Sequence, residues 1–544
     1  MKIALVTTPG SSRSGIADYT RHLLPYLREG ADVDVFVEVG RESEETGSVA
    51  DLNPRDYDQI LYQLGNEAQH AFMLPMIRAI GGTVVLHDWV LFDLAVAAYS
   101  SLERGGFFGH LRAVREGGPE EARIYGRSRR RGQRLPAGER FGPGWYAAEE
   151  GGRWSSARAE LDLRASAALR LEFLVPKGRS ATVGGSKKFG AGEHTFEMEL
   201  SPKARGPLVF EVRGARAATD DARELGVFLL SIAHRVNGEW QRIKLDEPRR
   251  QENCGLSADR FELSFNRSVV RHADAFIVHS DSIGELVFES RNSPTPILRV
   301  HHGVERRWLD LSCESARSQL ELPDSWSTSF VVASFGALQA HKRPGVLLEA
   351  ISNLRARGVD AKLLCVGEER PLEFDFAACL AKLDLENHVH ITGWLPEEKA
   401  WDALRAADIC VNLRGPSTGG TSGGASQALS LGKPVVVSDL PEFAHLPEEC
   451  VLRVAHGDRE AENLAELLYG LARDPSRLAE MALKARQAVE EELHWSHVAK
   501  RYLEGFETFP RARASRRSLF VRFLHATAKD RVQIESNDAV DSRP

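Results

Sequence analysis

The chain has 544 residues, which is too long for one compact core and predicts two to four domains. Its composition is 42% hydrophobic and 27% charged, and its net charge of -7 argues against a general nucleic-acid binder, whose binding face would be basic. No apolar run approaches the length of a membrane span, and the N-terminus lacks a signal-peptide pattern, so we expect a cytoplasmic protein.

Residues 1–110 alternate between strand and helix patterns. The apolar runs "KIALVTT" and "DVDVFVE" flank the helical pattern "ADYTRHLLPYLRE", and "TVVLHD" is a later strand that ends at His87. Strands separated by helices pair in parallel, and polar residues at their carboxyl ends lie where such sheets bind ligands. The segment therefore predicts the first part of a Rossmann-like α/β domain.

Two segments interrupt this pattern. Residues 111–140 are rich in Arg and punctuated by Gly and Pro, which favours a solvated linker, with an anionic-surface contact as the alternative. Over residues 141–245 the apolar period becomes two, which predicts an antiparallel β-sandwich inserted into the first domain. Trp145 and Trp154 of this insert suit either contact with a glycan or burial in the sandwich core, and both interpretations stay open.

The α/β pattern returns over residues 256–320, the second part of the N-terminal domain, and continues in a second array over 326–492. A helix at 493–510 and a basic tail at 511–544 follow. The tail mixes basic residues with Phe and Leu, so either it lies on an anionic membrane surface or it is solvated and disordered. Two Rossmann-like halves facing a cleft are the predicted architecture.

Cations follow the first strand of the second array. Gly336 comes directly after the strand "VVASF", and Lys342 and Arg343 stand in the loop behind it. Lys and Arg side chains at such a strand end are suited to neutralise a pyrophosphate.

A glycine-rich loop, "GPSTGGTSGGASQ", precedes a predicted helix of the same array. Thr421 and Ser422 are suited to cap a helix that begins near Gly423. The backbone amides of Thr421 and Ser422 would then face an anion at the positive end of the helix dipole.

These residues resemble a known family. Residues 330–492 resemble the nucleotide-sugar domain of glycosyltransferase family 4, which has the GT-B fold, and the matching pieces are "FGALQAHKRPGVLLEAI", "LLCVG", "HVHITGWLPEEKAWDALRAADICVNL" and "GGASQALSLGKPVVVSD". In the first half, "TPGSSRSGIADYTRHLL", "VVLHDWVL" and "VHHGVE" resemble its other landmarks. The insert resembles accessory β-sandwich modules of enzymes that synthesise cell-surface polysaccharides.

The resemblance implies transfer of a sugar from a nucleotide diphosphate donor to a glycan or lipid-linked acceptor, with retained anomeric configuration. It also implies no essential metal and no cofactor besides the nucleotide sugar as co-substrate. Carried over by position, Lys342 and Arg343 would hold the donor phosphates and residues 421–424 would cradle the pyrophosphate. Gly15 would lie beside the pyrophosphate, and His87 would be the catalytic residue near the reacting carbon.

The chain departs from the family at two glutamates around the glycine-rich loop. The ribose-side glutamate falls on Gln427, whose amide still offers a donor and an acceptor to a hydroxyl. The sugar-side glutamate falls on Gly419 or Gly420, which bring no carboxylate, although Asp439 and Glu442 stand beyond the next strand. Two hypotheses follow: an active glycosyltransferase, or a catalytically impaired GT-B protein that binds a glycan or a nucleotide sugar.

Overall fold

The computed structural model forms two compact units, one of residues 1–122 with 261–544 and one of residues 123–260. It describes residues 1–511 apart from gaps at 11, 13, 134–140, 142–143, 150–151, 162–167, 186, 200–207, 219–220, 237–238, 243–244, 246–255, 292, 309–312, 321 and 370–373. The basic tail from residue 512 onward lies outside the described residues. Among the described helices, none combines the length and apolarity needed to cross a membrane.

The N-terminal half of the first unit begins with alternating strands and helices. These are β1 (Lys2–Val6), α1 (Gly15–Arg28), β2 (Asp32–Val37), β3 (Gly47–Ser48), β4 (Gln59–Leu64), α2 (Met73–Ile80), β5 (Thr83–Leu86), α3 (Phe92–Ala98), α4 (Ser100–Arg104) and α5 (Gly106–Gln133). Strands β4 and β5 are buried along their whole length, as expected for parallel strands covered on both faces. The predicted α/β alternation of this segment is confirmed.

Helix α5 contradicts the linker predicted over residues 111–140. The chain is helical as far as Gln133, with one break at Gly118, where φ is +84° and Pro119 follows. Arg is a good helix former, and Arg112 also pairs with Glu116 one turn later at 3.2 Å, so the Arg-rich sequence supports a helix. The linker prediction was wrong up to residue 133, and residues 134–140 lie outside the described part of the chain.

The second unit is built from antiparallel strands. They are β6 (Trp145–Glu149), β7 (Gly152–Ser155), β8 (Arg158–Leu161), β9 (Ala168–Val175), β10 (Ser180–Val183), β11 (Lys187–Phe189), β12 (Gly192–Glu199), β13 (Leu208–Arg213), β14 (Arg216–Ala218), β15 (Asp221–Leu225), β16 (Phe228–Val236) and β17 (Glu239–Arg242). One sheet has the order β11-β10-β13-β8, and another contains β12, β9, β16, β7 and β6. Both contribute to one apolar core that includes Leu171 and Phe210. The predicted antiparallel insert is thus seen in part, within a compact unit wider than residues 141–245.

The chain then returns to the first sheet. The added elements are α6 (Arg267–His272), β18 (Ala275–Val278), α7 (Asp281–Glu289) and β19 (Ile297–Arg299). The sheet order is β19-β18-β5-β4-β1-β2-β3, with parallel pairing of β18 to both β5 and β19. Helix α6 begins only at Arg267, since a 3-10 turn ends at Glu262 and Phe265 has a φ of +45°.

The C-terminal half is a second parallel sheet with helices. Its elements are α8 (Cys313–Gln319), β20 (Phe330–Phe335), α9 (Pro344–Ala356), β21 (Ala361–Val366), α10 (Phe376–Leu383), β22 (Val389–Ile391), α11 (Glu397–Arg405), β23 (Ile409–Asn412), α12 (Gly423–Ser430), β24 (Val435–Ser438), β25 (Val451–Val454), α13 (Glu460–Ala472), α14 (Pro475–Ala488) and α15 (Trp495–Thr508). The sheet order is β22-β21-β20-β23-β24-β25.

Helix α15 packs against the N-terminal half. The hydroxyls of Tyr19 on α1 and Tyr502 on α15 lie 2.8 Å apart, and Trp495 belongs to the same apolar cluster as the buried face of β1. Arg21 on α1 also pairs with Glu397 on α11 at 2.6 Å. The two halves of the first unit therefore contact each other through α1.

Candidate functional site

The site is organised by the loop between β23 and α12. Ser422 caps α12, and its hydroxyl accepts the Ala425 N–H at 3.4 Å while the Arg414 guanidinium donates to it at 3.1 Å. The helix begins at Gly423, so the predicted start is confirmed. The first amides of a helix have no partner within it, which leaves this end suited to an anion.

Two polar atoms beside this helix start have no hydrogen-bond partner among the described residues. They are the buried hydroxyl oxygen of Thr421 and the side-chain oxygen of Asn412, a residue that is only 5% exposed. The Asn412 amide nitrogen lies 2.8 Å from the position a Cβ would take on Gly424. Because buried polar atoms in native proteins are almost always bonded, these atoms indicate a place for a polar ligand or ordered water.

The predicted cations lie at the end of β20. Gly336 has a φ of +92°, and the amine of Lys342 lies where a side chain on this glycine would project. Position 336 therefore requires glycine for two reasons: the positive φ, and the space that the Lys342 amine occupies where a side chain would project.

Arg343 makes a contact that the sequence pattern did not indicate. Its guanidinium lies 2.5 Å from the carboxylate of Glu460, whose side chain is 1% exposed. A buried carboxylate requires a cation nearby, so Arg343 has a structural role here whatever it does toward a ligand.

Three histidines surround Tyr19 in the first unit. The ring centroids of His87, His279 and His302 lie 4.8, 5.2 and 4.9 Å from that of Tyr19. His87, the predicted catalytic residue, is buried, and its Nε2 lies 2.8 Å from the Gln63 oxygen, a pairing in which the imidazole N–H donates. Sequence reasoning did not single out His279 or His302.

His302 links this cluster to the helix start. Its Nδ1 lies 3.2 Å from the carbonyl oxygen of Gly303, and its Nε2 lies 3.2 Å from the Cβ position of Gly423. With the Nδ1 proton directed to the carbonyl, Nε2 is an acceptor, which suits a hydroxyl better than a phosphate. The only sequence signal for this residue was the motif "VHHGVE".

Acid is expected to destabilise the first unit through these histidines. Burial lowers the pKa of His279 to about 4 and of His302 to about 3, and it also holds the pKa of His87 well below its usual value. Between these values and about 6.5 the unfolded chain binds more protons than the native one, so stability falls as pH falls. We expect a loss of about 1.4 kcal/mol per pH unit for each histidine below pH 6.5.

Thermal unfolding followed from pH 7.5 to pH 5 measures this effect. The variant His302→Asn should flatten the dependence of melting temperature on pH, whereas His497→Asn, at an exposed position on α15, should leave it unchanged. Equal slopes for wild type and His302→Asn would contradict the assignment.

Gly419 and Gly420 lie where the loop contacts the N-terminal half. The carbonyl of Thr418 accepts the Trp89 and Val90 N–H groups at 3.0 and 2.9 Å. A Cβ on Gly419 would lie 2.6 Å from the Cβ of Trp89, so neither glycine has room for a side chain. The missing glutamate thus coincides with close contact between backbones.

Asp88 is the carboxylate nearest this contact that sequence reasoning missed. It accepts the Thr418 hydroxyl at 3.0 Å on Oδ1 and the Asn66 N–H at 3.0 Å on Oδ2. Burial raises the pKa of Asp88, and the hydrogen bonds from Asn66 and Thr418 oppose that shift. "VVLHDWVL" contained this residue, but 330 positions separate it from its Thr418 partner in the chain.

The two acidic residues beyond β24 lie in different environments. Asp439 is exposed, whereas Glu442 is buried and accepts a hydrogen bond from the Ser417 hydroxyl. Burial lowers the pKa of Arg414 to about 10, although the nearby carboxylates of Asp88 and Glu442 oppose the shift. The loop is therefore held between carboxylates from both halves.

The two remaining predicted donor-binding residues, Gly15 and Gln427, lie on helices. Gly15 is the first residue of α1, behind the cap residue Ser14, and a Cβ there would meet no atom of the described residues within 4 Å, its chain neighbours apart. Gln427 lies on α12, where its carbonyl accepts the Ser430 hydroxyl at 2.6 Å.

The two tryptophans of the insert differ. Trp145 is 0% exposed, packs edge-on against Phe210 and donates its ring N–H to the Glu160 carbonyl at 3.0 Å. Of the two interpretations left open for Trp145, burial in the sandwich core is therefore the one that holds, because the ring lies inside the core. Trp154 is partly buried beside Phe228, with ring centroids 4.7 Å apart, and stays a candidate.

Comparison with known proteins gives matches to part of the chain. Residues 329–474 match the family described as Glycosyl transferases group 1. The chain is 27% identical over 197 residues to the amylovoran biosynthesis glycosyltransferase AmsK of Erwinia amylovora, covering 36% of this chain and 48% of that protein. It is 27% identical over 251 residues to the D-inositol 3-phosphate glycosyltransferase of Rhodococcus erythropolis (strain PR4 / NBRC 100887), covering 44% and 55%. The chain thus spans about half the length of the curated relatives it matches.

One solved structure is similar in fold to most of the chain. The sucrose-phosphate synthase of Thermosynechococcus elongatus superposes with a TM-score of 0.50 and 14% identity, covering 93% of this chain and 98% of that one. At this identity the likeness concerns the fold alone. The chain therefore has a GT-B-like α/β fold, and its residues 329–474 are similar to Glycosyl transferases group 1.

Proposed function

We propose that this protein is a retaining, metal-independent glycosyltransferase that moves a sugar from a nucleotide diphosphate donor to a glycan or lipid-linked acceptor. The observation that carries the proposal is the start of α12, where a capped, glycine-rich helix end lies beside two buried polar atoms that have no hydrogen-bond partner in the described part of the chain. A diphosphate supplies the negative charge that suits the helix start and acceptor oxygens for its amides and for the Thr421 hydroxyl. The Asn412 oxygen is itself an acceptor, so its partner would be a hydroxyl or N–H group of the nucleotide sugar or an ordered water.

The donor residues have distinct proposed roles. The amides at residues 421–424 bind the pyrophosphate, with the Thr421 hydroxyl as an added donor. Lys342 supplies the cation, while Arg343 contributes mainly by neutralising Glu460. Gln427 faces the ribose, Gly15 leaves open space beside the phosphates, and His87 lies on the acceptor side.

A role in cell-surface polysaccharide synthesis is the proposed setting. The name of the Erwinia relative, which matches over 36% of this chain, refers to amylovoran biosynthesis. The acceptor would then be a growing glycan at the cytoplasmic face of the membrane. Within the insert, Trp154 is the residue that we propose for contact with a sugar ring.

Loss of the Lys342 cation is expected to weaken donor binding about ten- to hundredfold, the range of one or two charge-assisted hydrogen bonds. A thermal-shift screen of nucleotide sugars identifies the donor, since a ligand at 100 times its dissociation constant stabilises by about 2.7 kcal/mol. Titration of that donor into wild type and Lys342→Ala then measures the loss. Lys382→Ala, an exposed lysine in the last turn of α10, is the matched control and should bind normally.

Binding alone does not separate the enzyme from the second candidate, a GT-B protein that only binds a nucleotide sugar. The absence of a carboxylate at Gly419 and Gly420 favours that alternative. Donor-dependent release of nucleotide diphosphate in the presence of extracted glycan and lipid acceptors distinguishes them. Release that disappears in Lys342→Ala supports the enzyme, and tight donor binding without any turnover rejects it.

A further inference from the structure

Asp88 projects its carboxylate into the place where a glutamate side chain would begin on the glycine-rich loop. Its Oδ1 lies 2.5 Å from the position a Cβ would take on Gly420. Gly420 is one of the two positions that correspond to the sugar-side glutamate of the family that this chain resembles. A carboxylate is therefore present beside this loop, but it comes from the other half of the chain.

The Asp88 carboxylate is held in a fixed orientation with capacity to spare. From the residues that the structure describes, one hydrogen bond reaches each oxygen, donated by the Thr418 hydroxyl and by the Asn66 N–H, both at 3.0 Å. An ionised carboxylate has about four acceptor sites, so further donors are able to bind. Two protein contacts from opposite sides fix where those sites point.

No ion pair accounts for this carboxylate within the described part of the chain. The Arg414 guanidinium is a cation near Asp88, but it donates to the Ser422 cap and to the Leu413 carbonyl. The nearby Glu67 carboxylate brings a like charge. A partly buried charge without a paired cation reduces stability, and such groups are concentrated at functional sites.

We propose that Asp88 supplies, from the N-terminal half, the carboxylate that the loop lacks at Gly420, and that it accepts a hydrogen bond from a hydroxyl of the donor sugar. The inference rests on the proposed function, because it requires a nucleotide sugar bound at the start of α12. It assigns recognition of the sugar portion of the donor to Asp88, which lies 330 positions from its Thr418 partner in the chain.

The competing role for Asp88 is structural, as part of the contact that holds the two halves of the first unit together, since the Thr418 carbonyl also accepts the Trp89 and Val90 N–H groups. The two roles differ in what they do to a nucleotide without its sugar. A contact that holds the halves together affects the whole site, so its loss weakens binding of the nucleotide diphosphate and of the nucleotide sugar alike. A sugar ligand affects only the nucleotide sugar.

Calorimetric titration of UDP and UDP-glucose, and of GDP and GDP-mannose, into wild type and Asp88→Asn tests this difference. For the pair that wild type binds, we expect Asp88→Asn to bind the nucleotide sugar about ten- to hundredfold more weakly and the nucleotide diphosphate unchanged. Asp93→Asn is the matched control, because its carboxylate bonds the side chain of the same Asn66 at 2.9 Å. It should leave both affinities as in wild type.

A measurement on the wild-type protein keeps the proposal open to test if Asp88→Asn folds poorly. Deoxy analogues of the preferred donor, each lacking one sugar hydroxyl, should include one that binds wild type about tenfold or more weakly than the parent. Equal weakening of nucleotide and nucleotide sugar in Asp88→Asn overturns the proposal, as does a deoxy series with unchanged affinity. If the thermal-shift screen finds no nucleotide sugar that binds wild type, the proposed function itself fails and the inference with it. If the screen finds another donor, that nucleotide sugar and its nucleotide diphosphate replace the four probes in the same titration.

Discussion

Replacing Trp145 by alanine should lower the free energy of unfolding of the inserted unit by about 3–5 kcal/mol, the usual loss for a large aromatic ring in a core. The ring is fully buried between Phe141 and Phe210, with centroids 5.6 and 5.2 Å away. Removing the ring also removes the N–H that donates to the Glu160 carbonyl. Chemical denaturation followed by tryptophan fluorescence and limited proteolysis of the insert measures the loss.

Trp154→Ala is the matched control for this experiment. This ring is partly buried and packs against Phe228, so a smaller loss of stability is expected. A Trp145→Ala protein as stable as wild type would show that the ring does not support the core. If Trp154 contacts a glycan, Trp154→Ala should lose glycan binding while keeping most of its stability.

Adding a glutamate at Gly420 should damage the protein and not restore a family-like site. The new Cβ would lie 2.6 Å from the carbonyl oxygen of His87 and 2.5 Å from the Asp88 carboxylate. The backbone oxygen is unable to rotate away, so the contact between Thr418 and residues 89–90 must open. We expect Gly420→Glu to lose about 1–3 kcal/mol of stability and to bind the donor at least about tenfold more weakly.

Gly420→Ala separates the steric part of this effect from the charge. It adds only the Cβ, so it should show most of the stability loss of Gly420→Glu. Gly470→Ala and Gly470→Glu are the controls, because a Cβ at Gly470 on α13 meets nothing within 4 Å. Higher activity in Gly420→Glu than in wild type would mean that the loop has room for the family's carboxylate, contrary to this account.

The sheets and the start of α12 could be predicted because their causes are local. Apolar runs separated by helical periods predict parallel strands wherever they occur, and a Ser before a glycine-rich helix start predicts a cap. The Arg-rich segment was predicted wrongly for an equally local reason. Punctuation by Gly and Pro outweighed helix propensity in that prediction, whereas the chain breaks its helix only at Gly118.

The contacts that define the site could not be predicted because they join distant parts of the chain. Asp88 meets Thr418 across 330 positions, and Arg343 meets Glu460 across the C-terminal half. The glycines at 419 and 420 showed that a carboxylate was missing from the loop. They gave no sign that backbone contact with the other half had taken the space.

We propose that the start of α12 binds the diphosphate of a nucleotide sugar. A crystal structure of the wild-type protein with the donor found by thermal shift tests it most directly. We expect the diphosphate oxygens of the bound donor to lie within about 2.7–3.2 Å of the amides at residues 421–424 and of the Lys342 amine. A diphosphate bound elsewhere on the chain, with only solvent at the start of α12, would contradict it.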